Sequence, residues 1–133
     1  MKLKKLIEDY DIEAVLISSK YSLRYFTGFT GTTGIALAFA EKRFFFTDFR
    51  YVTQAKKEVE PNGFTVVKVE RGAVDALAEY IKNSGIKKLG IEDKYVTLAE
   101  YVVYKEKFEG IGFVTLGEAL DKLRMIKTEE EIG

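Results

Sequence analysis

The stretch Ile35-Ala-Leu-Ala-Phe39-Ala-Glu-Lys-Arg43-Phe-Phe-Phe46 decides the fold class of this chain. It contains two apolar runs without polar alternation, a pattern typical of strands that are covered on both faces. Only residues 40–43 separate the two runs. Because this connection has the length of a hairpin loop, we expect the two strands to pair antiparallel within a mixed sheet.

Strands and helices alternate on both sides of this hairpin. Apolar residues at helical spacing predict a short helix over 3–10, and the continuous run Ala14-Val-Leu-Ile-Ser18 predicts a strand directly after it. A helix over 49–59 is predicted to be capped by Asp48 and to end before Pro61. The remaining predicted elements are strands at 64–69, 88–91 and 111–115 and helices at 73–83, 97–108 and 118–126. This order predicts an α/β protein, a three-layer α/β/α sandwich with a six-stranded mixed sheet.

Size and charge narrow the class of protein. A chain of 133 residues with 47% hydrophobic residues suits one folded domain with one core. Lys plus Arg and Asp plus Glu both number 21, so no basic field favours a nucleic-acid partner. The first residues break their apolar run with charges, and no run approaches the roughly 20 residues of a membrane span. We therefore expect a cytoplasmic protein with neither a nucleic-acid nor a membrane partner.

The chain has no histidine and no cysteine. It therefore cannot form a disulfide, a Cys/His zinc site, a Ser-His-Asp triad or a Cys-His dyad. The lack of cysteine is also compatible with a reducing compartment. Only chemistry by carboxylates, Lys, Tyr, Ser, Thr or backbone amides stays open, or no chemistry at all.

The glycine-rich segment Gly28-Phe-Thr-Gly-Thr-Thr-Gly34 resembles a phosphate-binding loop at first sight. Such loops precede a helix, whose N-terminal amides bind the phosphate, whereas a strand follows here. The favoured interpretation is a tight turn that leads into a buried strand. The alternative is a loop that presents backbone groups and Phe29 to something outside the domain.

Carboxylates at the ends of strands are the next candidates. A metal pair of the ribonuclease H type needs an acidic residue from the opening strand, but that strand ends in Ser18-Ser19-Lys20. Asp48, Glu92 and Asp93 follow other strands, and we interpret them as caps and solvated turn residues. The consecutive Glu129 to Glu131 fan around a helix start and cannot converge on one ion.

Two Arg-Tyr pairs, Arg24-Tyr25 and Arg50-Tyr51, lie at predicted element boundaries. A guanidinium binds a carboxylate bidentately, so these pairs are candidates for substrate recognition. They are equally compatible with packing and capping. No nucleophile with a neighbouring base is recognisable, so the residues by themselves indicate an α/β domain without its own active site.

The last residues contain a helix signal. Thr128-Glu-Glu-Glu131 has the spacing of a capping box. Two interpretations stay open: a natural chain that continues beyond Gly133, and a frayed polar tail.

Four motifs in order carry a resemblance to a known family. They are Ser22-Leu-Arg-Tyr-Phe-Thr-Gly-Phe-Thr-Gly31, Thr47-Asp-Phe-Arg-Tyr-Val-Thr-Gln-Ala55, Leu89-Gly-Ile-Glu-Asp93 and Leu123-Arg-Met-Ile-Lys-Thr-Glu-Glu-Glu-Ile132. With them the chain resembles the amino-terminal domain of the creatinase/prolidase family, specifically Xaa-Pro aminopeptidases and Xaa-Pro dipeptidases. Ser22 stands where the family often has Asn, and Phe49 where Gly is common.

The resemblance implies a fold with a ribonuclease H-like motif over residues 1–126. Residues 127–133 would begin the linker and the first helix of a C-terminal metallopeptidase domain that this chain does not contain. That domain would hold two divalent ions, manganese, cobalt or zinc, through two Asp, one His and two Glu. No catalytic or metal-binding residue is therefore assigned in this chain, and we expect the chain alone to be inactive.

The resemblance also implies two roles for this domain: homodimer contacts, and closure of part of the partner subunit's active-site mouth. The substrates of the parent would be short proline-containing peptides. We expect the gating segment to be the loop from Arg24 to Thr32, with Arg24, Phe29 and Thr30 as the gating residues and Phe29 exposed. One alternative is a standalone binding module of the same fold without peptidase activity, and another is a parent that acts on creatine or a related guanidino compound.

Overall fold

A computed structural model of the chain describes residues 2–31, 33–70 and 73–123. The strands are β1 (Ala14–Ile17), β2 (Ile35–Phe39), β3 (Arg43–Thr47), β4 (Thr65–Lys68), β5 (Lys88–Ile91) and β6 (Gly112–Thr115). The helices are α1 (Lys2–Asp9), α2 (Lys20–Thr27), α3 (Val52–Val59), α4 (Ala73–Ser84), α5 (Leu98–Lys107) and α6, whose described part covers 117–123. A 3-10 turn, Glu60–Asn62, follows α3.

The six strands form one mixed sheet in the order β4-β3-β2-β1-β5-β6. β2 is antiparallel to both of its neighbours, with Leu37 opposite Leu16 on one side and Phe44 on the other, while all other pairs are parallel. The predicted hairpin and the mixed sheet are therefore confirmed. The chain adds strands outward from β1 to β4 and then crosses back to place β5 beside β1, so the strand order reverses between β1 and β5.

Helices cover both faces of the sheet. Along β1, Val15 and Ile17 point into a core closed by α1, α2, α3 and α6, while Ala14 and Leu16 point into a second core closed by α4 and α5. Full burial of a Val, Leu or Ile side chain contributes about 2 kcal/mol. The continuous apolar runs in the sequence are explained by this burial on two faces, and the predicted three-layer sandwich is confirmed.

The helix α2 was not predicted. Its start is capped by Ser19, whose hydroxyl accepts a hydrogen bond from the Ser22 N–H at 3.1 Å. Its end is a left-handed glycine, Gly28, with φ of 86° and its N–H donated to the Arg24 carbonyl. Serine before and glycine after a short segment are the usual start and stop signals of a helix.

Asp48 does not cap α3, so that prediction is wrong. The helix begins four residues later, at Val52, without a side-chain cap. Asp48 instead stabilises the turn at the end of β3: it accepts the Arg50 N–H at 3.0 Å and the Arg50 guanidinium at 2.8 Å. Phe49, on this turn, is 73% exposed.

The predicted last helix and the predicted capping box lie partly or wholly outside the described residues. The predicted last helix is present over 117–123, whereas its predicted end and the capping box at Thr128 lie outside the described residues. Among the helices that are described, none combines the length and the apolar character needed to cross a membrane.

Candidate functional site

The carboxyl edge of the sheet, where β1 and β5 end, is occupied by Glu92. The Glu92 side chain is fully buried, so our interpretation of it as a solvated turn residue is wrong. One carboxylate oxygen accepts the backbone N–H groups of Ser18 at 2.8 Å and Ser19 at 2.9 Å. The other accepts the hydroxyls of Ser19 at 2.9 Å and Ser22 at 2.6 Å. These four bonds join the end of β5 to the first turn of α2.

Asp93, the neighbour of Glu92, also has a structural partner. Its carboxylate accepts the Gly117 N–H at 2.8 Å, at the start of α6. The prediction that Asp93 acts as a cap is therefore consistent with this contact. The carboxylate of Glu92 binds the start of α2 and that of Asp93 binds the start of α6, so the two do not converge on one ion.

A cleft of about 370 Å³ lies beside α2. It is lined by Lys20, Tyr21, Arg24, Phe29, Thr30 and Gly31. Arg24 is exposed, and in the part of the chain that the structure describes its guanidinium makes no hydrogen bond or ion pair. The cleft thus brings together all three residues predicted for the gating segment and offers a guanidinium for an anionic group.

Thr30 is held at this cleft by α3. Its N–H donates to one Glu58 carboxylate oxygen at 2.8 Å and its hydroxyl to the other at 2.8 Å. The Thr30 N–H keeps the pKa of the Glu58 carboxyl below its ordinary value, and the Thr30 hydroxyl, the Gln54 amide and the charge of Arg24 act in the same direction. An ionised Glu58 therefore fixes the loop to α3.

Phe29 is buried, with 2% of its surface exposed, so the expectation that it is exposed is wrong. Its ring lies 4.6 Å from the ring of Phe45 and 6.2 Å from that of Tyr51, measured between centroids. A Cβ on Gly31 would come within 2.4 Å of the Phe29 ring. Phe29 therefore packs beneath the loop and supports it from the core side.

The predicted loop from Arg24 to Thr32 is two elements. Arg24 belongs to the last turn of α2, and the loop proper starts at Gly28. Asn62 links this junction to the 3-10 turn, because its side-chain amide donates to the Thr27 carbonyl at 2.9 Å. Thr32 lies outside the described residues.

The second Arg-Tyr pair has a packing role in the structure. The Arg50 guanidinium binds Asp48 and lies 5.4 Å from the ring of Tyr51. The Arg50 side chain holds the pKa of the Asp48 carboxyl below its ordinary value. In the first pair, the Tyr25 hydroxyl donates to the Leu123 carbonyl at 3.3 Å and so connects α2 to α6.

Acidic side chains are spread over residues 2–31, 33–70 and 73–123. Within them no three or more side chains of His, Cys, Asp and Glu are grouped so as to hold a metal ion. No catalytic step is therefore assigned to a metal bound by these residues.

By its fold, this chain is an α/β/α domain whose mixed sheet has one antiparallel strand. The family model described as the creatinase/prolidase N-terminal domain matches residues 1–126. The chain belongs to this family.

Known relatives and structures agree with this assignment. An uncharacterized peptidase of Bacillus subtilis (strain 168), YqhT, is 37% identical over 131 residues, which are 98% of this chain and 36% of that protein. The structure of an Xaa-Pro dipeptidase from Bacillus anthracis superposes with a TM-score of 0.84 at 34% identity, over 92% of this chain and 34% of that one. The N-terminal domain of the cytoplasmic peptidase PepQ from Mycobacterium tuberculosis H37Rv gives 0.81 at 30% identity, over 92% and 95% of the two chains.

The chain thus spans about a third of the B. subtilis and B. anthracis proteins. The matched part of the M. tuberculosis protein is a separately described N-terminal domain. The B. anthracis protein is an Xaa-Pro dipeptidase, which is a hydrolase, and this supports the family that the four sequence motifs indicated.

Proposed function

We propose that this chain is the N-terminal domain of a cytoplasmic, metal-dependent peptidase that cleaves Xaa-Pro peptide bonds, and that the domain serves oligomerisation and substrate gating. The observation that carries the proposal is the family match over residues 1–126. The similarity to an Xaa-Pro dipeptidase over 92% of this chain supports the substrate class.

In this proposal the chemistry belongs to the other domain of the parent. Two divalent ions, manganese, cobalt or zinc, would be bound there, since this chain lacks histidine altogether and its described residues contain no ligand group. Residues 127–133 would lead into that domain. Short proline-containing peptides would be the substrates of the complete enzyme.

The gating role is assigned to the cleft beside α2. Arg24 offers an exposed guanidinium, a group that binds carboxylates in two parallel hydrogen bonds. Thr30 is anchored through Glu58, and Phe29 supports the loop from below. The loop is therefore held in one position from which Arg24 and Thr30 would face a peptide in the active site of the partner subunit of a homodimer.

The first prediction concerns activity. We expect the 133-residue chain with added Mn²⁺ to hydrolyse neither Xaa-Pro dipeptides nor longer Xaa-Pro peptides, because the chemistry requires the metal-binding domain. The full-length parent is the positive control, assayed on the same peptides and on creatine. Metal-dependent turnover by the chain alone would contradict the proposal, and turnover of creatine alone by the parent would assign a different substrate.

The second prediction concerns gating. In the full-length enzyme, Arg24→Ala should raise KM for peptides that reach the cleft by about tenfold, the value of one charge-assisted contact. Lys56→Ala, an exposed lysine on α3, is the matched control and should leave KM unchanged. Values of kcat/KM within twofold of wild type for every peptide length would show that Arg24 does not gate. Phe29→Ala is unsuitable because it opens the core.

The proposed homodimer has its own test. Sedimentation velocity of the chain and of the parent, at matched molar concentrations, measures whether this domain forms dimer contacts. If this chain is monomeric and the parent is dimeric, the dimer contacts lie in the other domain, and the proposed role of this domain in oligomerisation is wrong.

A further inference from the structure

The position where this sheet would ordinarily bind a ligand is the gap between β1 and β5. Open α/β sheets bind ligands outside the carboxyl ends of their strands, where the strand order reverses. Anions in such sites lie at the N-terminus of the helix that follows the strand. Here the order reverses between β1 and β5, and α2 is the helix that begins directly after β1.

A carboxylate of the chain itself occupies this position. The donors are the backbone N–H groups of Ser18 and Ser19 and the hydroxyls of Ser19 and Ser22. We call these three serines the serine site. All four donors come from the turn between β1 and α2, whereas the acceptor, Glu92, comes from β5 and lies 70 to 74 residues away in sequence.

The chemistry of the serine site is that of an anion site. Each carboxylate oxygen of Glu92 receives two hydrogen bonds from uncharged donors, and the positive end of the α2 dipole adds to them. Both Ser19 and Ser22 are themselves buried, with 7% and 0% of their surfaces exposed. The donors are therefore organised by the fold around a carboxylate and are shielded from water.

We propose that the serine site is a preformed carboxylate-binding site and that Glu92 is its built-in ligand. Removal of the Glu92 side chain then leaves a site for a free small carboxylate of matching size. In the intact protein the built-in ligand closes the usual ligand position of the fold and fixes α2, the helix that carries Arg24. This inference does not depend on the proposed peptidase function.

The test is size-matched chemical rescue of the 133-residue chain. Glu92→Ala removes the equivalent of acetate, and Glu92→Gly removes the equivalent of propionate. Each variant should lose about 10 °C in Tm, because four buried donors lose their acceptor. The matching carboxylate should restore about 5 °C when its concentration is tenfold above its dissociation constant, and Tm should rise with the logarithm of its concentration beyond that point.

Three controls separate binding from general salt effects. Acetate should restore Glu92→Ala more than Glu92→Gly, and propionate the reverse. Wild type and Glu92→Gln, in which a side chain still fills the site, should respond to acetate only as they respond to sodium chloride of equal ionic strength. The amide hydrogens of Ser18 and Ser19 should exchange rapidly in Glu92→Ala and slow down when acetate binds.

A variant that is unfolded without carboxylate remains informative, since circular dichroism then reports carboxylate-dependent folding. Recovery of structure with the size-matched anion supports the proposal. Equal responses of wild type and variants to acetate, or no recovery of either variant with either anion, would overturn it.

Discussion

At the scale of single residues, the glycine segment is shaped by aromatic rings. A Cβ added to Gly34 would come within 2.3 Å of the Phe45 ring, and Phe45, on β3, is fully buried. Gly31 has the same relation to Phe29. The glycines are therefore required for close packing, and the interpretation of the segment as a tight turn before a buried strand is consistent with the structure.

Gly34→Ala should accordingly destabilise the chain by about 1–3 kcal/mol, the usual result of overpacking a well-filled core. Gly112→Ala is the matched control: its added Cβ would meet only the Lys87 carbonyl, at 3.6 Å, and should not reduce stability. Urea unfolding of both variants measures the difference. Equal stabilities for the two variants would show that the Phe45 ring moves aside without cost.

At the scale of elements, side-chain caps mark the starts of α2 and α5. Thr97 caps α5 in a complete capping box, because its hydroxyl accepts the Glu100 N–H at 3.1 Å and the Glu100 carboxylate accepts the Thr97 N–H at 2.8 Å. The first residue of the helix, Leu98, is 79% exposed. Burial therefore contributes little at this end, and the cap determines where α5 begins.

Thr97→Ala should lower the free energy of unfolding by about 1 kcal/mol, the typical value of an N-cap side chain. Thr97→Ser keeps the hydroxyl and should retain most of that stability. Chemical denaturation gives the free energies, and amide exchange of the first turn of α5 gives the local effect. A Thr97→Ala variant as stable as wild type would mean that contacts of the helix body alone hold its first turn.

At the scale of the whole molecule, stability depends on keeping both cores intact. Tyr104 belongs to the core beneath α4 and α5 and is stacked on Phe108 with a centroid distance of 5.4 Å. Burial, with a smaller contribution from the Glu100 charge, raises the pKa of Tyr104 to about 12. In the unfolded chain a tyrosine ionises near pH 10. Folding therefore favours the neutral phenol.

The sign of the pH effect follows from this shift. The contribution of Tyr104 to stability is fully present below about pH 10 and is lost as the pH rises toward 12. Tyr104→Phe, which cannot ionise, should therefore lose less stability than wild type over this range. Urea unfolding at several pH values between 8 and 12 gives the free energy of unfolding of both proteins. If it falls equally steeply with pH in wild type and in Tyr104→Phe, the raised pKa of Tyr104 does not contribute to stability.

The sequence alone determined the strands and helices that are marked by local patterns of apolar and turn residues. The runs at 35–39 and 44–46 predict strands because uninterrupted apolar residues need cover on two faces, and their short connection predicts the antiparallel pair. The four motifs also indicated the family, which the match over residues 1–126 confirms. The missed helix α2 had readable signals in Ser19 and Gly28, since both are common helix caps.

Only the tertiary structure decided where the polar and aromatic residues of the site lie. Glu92 is buried because its partners, Ser18, Ser19 and Ser22, approach from 70 to 74 residues away in sequence. Phe29 is buried because β3 brings Phe45 beneath it. Arg24 remains exposed because α2 turns its apolar residues Leu23 and Phe26 toward the core. Local sequence determines which elements form, whereas burial of a given side chain depends on which distant elements pack against it.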